Sequence, residues 1–80
     1  MTMVHIQYYA LLREQAGRSR EDVDTNAKSA DCLYDELRVK HSFTLARSQL
    51  RIAINGEFAD WDTPLAEGMD IVFIPPVAGG

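Results

Sequence analysis

The final pair Gly79-Gly80 is the place where this chain could do chemistry. A terminal carboxylate is a poor electrophile until it is activated. Transfer of AMP from ATP turns it into a mixed anhydride, which a sulfur nucleophile can attack. The product is a thiocarboxylate, a transferable sulfur on a flexible arm. A chain end can lie in a narrow channel only if it carries no side chains, and glycine meets that need. Glycine forms about 7% of average sequence, so a chance terminal Gly-Gly arises in roughly 0.5% of chains. In such a scheme the domain supplies the arm and a docking surface, and other enzymes supply the catalysts.

The remaining reactive side chains offer weaker alternatives. His5 and His41 are far apart, with no Cys or carboxylate at metal-ligand spacing, and read as ordinary surface or sheet histidines. Cys32 reads as a packed or boundary thiol of a helix. Glu21, Asp22 and Asp24 read as a solvated strand face rather than a paired-carboxylate site. Trp61, between Asp60 and Asp62, is expected to lie as a lid over one edge of the core. No Gly-Lys-Ser/Thr loop is present. No cofactor or metal is therefore expected on this chain, and ATP is expected to be used by a separate activating enzyme.

Length bounds the rest. Eighty residues allow one domain, and 46% hydrophobic residues supply one core but not a core and a deep pocket. The net charge of −4 argues against nucleic acid, whose phosphates call for a basic face. A single cysteine excludes an intrachain disulfide and an iron–sulfur cluster held by this chain alone. The opening Met-Thr-Met-Val-His-Ile does not read as a signal peptide, and no apolar run approaches membrane-spanning length. The expected setting is the cytoplasm, without membrane attachment.

The elements that must position the tail follow from periodicity. Met3 to Tyr9 alternates as a strand, with Val4, Ile6 and Tyr8 on one face and Met3, His5, Gln7 and Tyr9 on the other. Ala10 to Ala16 suits one or two helical turns, stopped by Gly17. The polar stretch Arg18 to Asn26 suits an edge strand. Ser29 to about His41 is the main helix, with Ser29 as N-cap, Asp31 in the first turn and Ala30, Leu33 and Leu37 as its apolar stripe. Leu50 to Asn55 alternates as a strand, Asn55-Gly56 is a hairpin turn, and Glu57 to Ala59 is a short return strand. Ile71 to Ile74 is a central strand, ended by Pro75-Pro76, which cannot donate to a ladder.

One main helix against a mixed sheet of four or five strands is an α+β roll. Pairing the first strand with the last would make it a β-grasp, or ubiquitin-like, fold, although periodicity alone does not fix that topology. The expected division is a domain over residues 1–74 and a tail over 75–80. Strand parity adds a docking face. Val72 and Ile74 lie opposite Ile71 and Phe73, so the first and last strands both carry apolar groups where a single helix cannot cover them. Phe58 joins Tyr9 and Ile74 in this expected partner-binding patch.

The segment Ile71-Val72-Phe73-Ile74-Pro75-Pro76-Val77-Ala78-Gly79-Gly80 resembles the C-terminus of molybdopterin synthase small subunits, the sulfur carriers of molybdenum cofactor synthesis. Ala53 to Gly56, Thr63 to Asp70 and Val4 to Glu14 resemble further signatures of that family. Ile74 departs from it, standing where an aromatic is common. The resemblance implies a β-grasp fold and a heterotetramer of two small and two large subunits. It implies that Gly80 is adenylated by a ubiquitin-activating-type adenylyltransferase and thiocarboxylated with sulfur from a donor enzyme. It further implies that the tail, Pro75 to Gly80, enters the large subunit and donates sulfur to cyclic pyranopterin monophosphate. The small subunit would then be the non-catalytic, sulfur-donating part of a sulfurtransferase. Two readings stay open: a carrier for thiamine or cysteine synthesis, which Pro-Pro-Val-Ala disfavours, and a ubiquitin-like protein modifier.

Overall fold

The computed structural model describes residues 1–76, so the tail positions Val77, Ala78, Gly79 and Gly80 lie outside the described residues. Along the chain come β1 (Thr2–Tyr8), α1 (Ala10–Ala16), β2 (Arg20–Thr25), α2 (Ala30–His41), β3 (Arg51–Ile54), β4 (Glu57–Ala59) and β5 (Asp70–Ile74). A 3-10 turn at Arg47–Gln49, absent from the sequence reading, precedes β3. The strands form one sheet in the order β2-β1-β5-β3-β4. β1 and β5 run parallel at its centre, with Tyr8 opposite Phe73, and the other pairings are antiparallel. This is the β-grasp arrangement, with α2 as its main helix and the short α1 where Ala10 to Ala16 was expected to turn.

The core lies between α2 and one face of the sheet. Period-two alternation in β1 and β5 buries Val4, Ile6, Tyr8, Ile71 and Phe73 on that face. The helix contributes Ala30, Leu33 and Leu37, the stripe read from sequence, and also Tyr34, which completes the i, i+3, i+4, i+7 pattern. An aromatic cluster closes the core: Tyr34 meets Phe73 edge-on at 5.2 Å between ring centres. Trp61 stacks on Phe73 at 5.9 Å, the lid position expected of it. Phe43 enters the same cluster because Ser42 takes a left-handed conformation and turns the chain inward.

Two local expectations change. Ser29 occupies the N-cap position, but its hydroxyl bonds the Asp31 carboxylate instead of a backbone amide. Asp31 accepts the free Cys32 N–H at 2.9 Å, so the first-turn acid serves the helix end directly. Cys32 is exposed rather than packed, because position 32 falls outside the Ala30–Leu33–Leu37 stripe.

The hairpin turn forms as its residues require. Asn55 and Gly56 both adopt positive φ, 52° and 87°, joining β3 to β4 by a two-residue loop. Asn55 Oδ1 also accepts the Asp70 N–H at 3.0 Å, which ties the hairpin to the start of β5. Among the described residues, no helix is long and apolar enough to cross a membrane.

Candidate functional site: tail exit and open sheet face

The tail leaves the domain from its most enclosed strand. β5 is flanked on both sides, by β1 and β3, so its end at Ile74 is a fixed point. Pro75 and Pro76 follow outside the ladder, where their missing N–H leaves nothing unpaired.

The face of the sheet away from α2 surrounds this exit. Its residues can be read from register. Phe58 lies opposite Ala53, Ala53 opposite Val72, and Val72 opposite Gln7, which makes one row across four strands. The next row toward the exit pairs Ile74 with Arg51. Phe58 is 71% exposed, while Val72 and Ile74 are half-buried. Phe58 and Ile74 therefore share one apolar face beside the tail. Tyr9 stands at the same end of the sheet, 44% exposed. It has left β1 and serves as the N-cap residue of α1, its carbonyl accepting the Leu12 N–H at 3.1 Å. Of the expected contact residues, Pro75 and Pro76 line a shallow groove of about 300 Å³ with Ile74 and Arg51.

Arg51 was not singled out from sequence. Its signal was present: it alternates with Leu50 and Ile52, and so had to share a face with Ala53. Its guanidinium carbon sits 5.8 Å from the centre of the Phe58 ring, a cation–π distance. At the other end of the open face, His5 Nδ1 and Asp22 Oδ1 are 2.7 Å apart. That hydrogen bond is the main reason His5 is raised above the ordinary imidazole value, with the charges of Asp22 and Asp70 adding to it.

The acidic set Glu21, Asp22 and Asp24 does not form one solvated face. Strand alternation turns Glu21 inward with Val23 and Thr25, leaving Asp22 and Asp24 outside. The Glu21 carboxylate is only 6% exposed and accepts three hydrogen bonds: from Tyr8 Oη at 2.7 Å, Lys40 Nζ at 2.7 Å and His41 Nε2 at 2.8 Å. Burial by itself would raise its pKa. The bonds from Lys40, Tyr8 and His41 outweigh it and lower the carboxyl to about 2. Burial, and then the Glu21 carboxylate, push the Tyr8 phenol well up. His41 is thus a half-buried partner of Glu21 rather than an ordinary surface histidine, since α2 delivers it onto the end of β2. This network lies on the helix side of the sheet and ties β1, β2 and α2 together. It leaves no buried side-chain polar atom unpaired among the described residues.

Among the described residues, no three His, Cys, Asp or Glu side chains cluster to hold a metal ion. The site is instead a strand end, two prolines and an apolar face with Arg51 beside it. Such a site can present a chain end to another protein.

Comparison with known proteins agrees with this geometry. The ThiS family profile matches residues 6–80. The molybdopterin synthase sulfur carrier subunit of Drosophila erecta is 36% identical, with 96% of this chain and 90% of that protein covered. Its counterpart from Mycobacterium tuberculosis is 32% identical, with each chain covered in full. Among solved structures, SAMP1 from Haloferax volcanii superposes with a TM-score of 0.79 at 25% identity, covering 98% of this chain and 99% of that one. A chain of a protein–protein complex of subunits 1 and 2 of the molybdopterin-converting factor from Helicobacter pylori gives a TM-score of 0.69 at 25% identity, with 99% of this chain and 100% of that one covered. The chain belongs to the ThiS family, and its likeness to molybdopterin synthase sulfur carrier subunits runs through the whole described fold to the Gly-Gly tail.

Proposed function

We propose that this protein is the sulfur carrier subunit of a molybdopterin synthase and that Gly80 is its reacting residue. The observation that carries the reading is the placement of the tail. Ile74-Pro75-Pro76 leaves the central strand at the apolar end of an uncovered sheet face, on a chain whose full length resembles the sulfur carriers. A fixed exit with a side-chain-free end suits delivery into a partner's channel.

The chemistry follows in balanced steps. A ubiquitin-activating-type adenylyltransferase joins the Gly80 carboxylate to AMP, releasing pyrophosphate from ATP. Hydrosulfide, or its equivalent from a sulfur donor enzyme, attacks the acyl carbon, and AMP leaves with the C–O bond electrons. The resulting thiocarboxylate enters the large subunit, where its sulfur forms a C–S bond to cyclic pyranopterin monophosphate; water then cleaves the acyl–sulfur bond, leaving the sulfur on the pterin and returning Gly80 as carboxylate. Two small subunits serve one dimer of large subunits. No cofactor resides on this chain; ATP is bound by the activating enzyme, and the pterin by the large subunit. The setting is cytoplasmic. Tyr9, Phe58 and Ile74 form the docking contact, Pro75 and Pro76 aim the tail, Val77 and Ala78 contact the partner's channel, and Gly79 stands with Gly80 at the reacting end. The complex of subunits 1 and 2 from Helicobacter pylori supports a partner of this kind.

A second reading, a ubiquitin-like protein modifier, is favoured by the likeness to SAMP1, a protein described as a small archaeal modifier. One experiment separates the two. The protein is incubated with ATP, its cognate activating enzyme and a sulfur donor, and its intact mass is taken. Thiocarboxylation adds about 16 Da, the sulfur-for-oxygen difference. No shift, with isopeptide adducts on other proteins instead, would sink the carrier reading. Removal of Gly80 should abolish molybdopterin formation without unfolding the domain.

A further inference from the structure

The open face is electrically polar along the strand direction. Its two rows nearest the tail exit carry Arg51, opposite Ile74, and Arg20, opposite Gln7. The rows farther away carry Asp22 and Asp70, both opposite His5, and then Asp24, opposite Met3. All five charged residues are exposed. A chain of net charge −4 has thus placed two cations beside its tail and three acids at the far end of the same surface.

Arg51 is the better placed of the two cations. It sits between two shallow grooves, one running to Phe58 and Trp61, the other to Pro75 and Pro76. Its guanidinium lies over the Phe58 ring while the residue stays exposed. Among the described residues it makes no ion pair; Asp60, the acid in the same groove, is not within pairing distance. A planar guanidinium held this way on an apolar surface is suited to a bidentate bond with a carboxylate supplied from outside.

We propose that Arg51 is a specificity-determining docking residue: it pairs with a carboxylate that the tail-receiving enzyme carries at the mouth of its channel, while Asp22, Asp24 and Asp70 set the direction of approach. This rests on the carrier reading, which supplies the receiving enzyme. The reasons are continuity and complementarity. Arg51 is the register partner of the last strand residue before the tail, so whatever takes the tail passes over it. A partner rotated by half a turn on this face would set its acid against Asp22 and Asp70, a like-charge contact that disfavours the wrong orientation.

The test is binding of the full chain to its cognate large subunit by surface plasmon resonance at about 50 and 300 mM NaCl. Arg51→Glu should weaken binding about tenfold or more at low salt, mostly through slower association, and the deficit should shrink at high salt. Arg51→Met, which keeps the apolar stem, should lose less than Arg51→Glu. Changing the facing carboxylate of the large subunit to Lys should restore Arg51→Glu. Circular dichroism checks that each variant is folded. If folded Arg51→Glu binds within twofold of the parent at both salts, or loses equally at both, the inference is overturned and the carrier reading stands. If the parent chain does not bind the large subunit, both are overturned.

Discussion

Replacing Glu21 with Gln should cost this domain about 3 kcal/mol at neutral pH, although residue 21 is remote from the tail. The figure comes from the environment of the carboxylate. Moving a carboxyl from an ordinary 4.5 to about 2 corresponds to about 3 kcal/mol of preference for the charged form in the folded state. Glutamine keeps the shape and one acceptor oxygen. Its NH2 then faces donors only, among Tyr8 Oη, Lys40 Nζ and His41 Nε2. Leaving such donors unpaired in the interior carries a penalty of about this size. Against a total stability of about 5–15 kcal/mol the loss is large, and at this chain length it should lower the melting temperature by about 12 °C or more.

The pH dependence identifies the cause. The folded pKa is depressed, so the carboxylate's contribution is fully present above about 4.5 and is lost as pH falls toward about 2. The gap between parent and Glu21→Gln should therefore shrink from about 3 kcal/mol at pH 7 to about 1.5 at pH 3. Urea unfolding followed by the fluorescence of Trp61 at the two pH values measures it. A gap below about 0.5 kcal/mol at pH 7, or a gap that does not change with pH, would refute the view that charge on Glu21 holds β1, β2 and α2 together.

Three further outcomes are expected. Gly56→Val forces a β-branched residue to φ 87° and should cost at least about 1–2 kcal/mol, and Asn55→Ala, which removes the bond to the Asp70 N–H, about 1 kcal/mol; urea midpoints test both. An NMR titration should place His5 above the ordinary 6.5, and Asp22→Asn should bring it back down. The sign makes that pair stabilising at low pH and lost as pH rises through the folded value; no change on Asp22→Asn would reject the pairing. Ile74→Lys and Tyr9→Lys should each weaken binding to the cognate large subunit by about tenfold or more while leaving the circular dichroism intact, and unchanged calorimetric affinity would discard the apolar face as a docking contact.

Local signals were enough to locate most of the elements. The alternation of Val4, Ile6 and Tyr8, the Asn55-Gly56 pair and the Pro75-Pro76 stop each act on neighbouring residues, so their consequences could be read in place. The same holds for Ile74, whose parity within its strand already put it on the uncovered face, and for Phe58, whose place just past the hairpin turn let it join that face. Glu21 shows the limit. Its polar neighbours argued for solvent, and no local rule could announce that Tyr8, Lys40 and His41, from a strand and a helix distant in sequence, converge on its carboxylate. Position 32 differs from this: the helical stripe of Ala30, Leu33, Tyr34 and Leu37 is a local pattern, and it leaves Cys32 off the buried side.

What the sequence determined by itself was the set of elements that carry the Gly-Gly end proposed to react, because a proline stop, a turn pair and a period-two pattern are properties of adjacent residues. What only the tertiary structure decided was the company those elements keep. Parallel pairing of β1 with β5 made the tail's strand the centre of the sheet. The register of β3 against β5 set Arg51 beside Ile74, and that of β3 against β4 set Phe58 beside Ala53. These contacts join segments far apart along the chain, and they exist only once the closure of the sheet has brought those segments together.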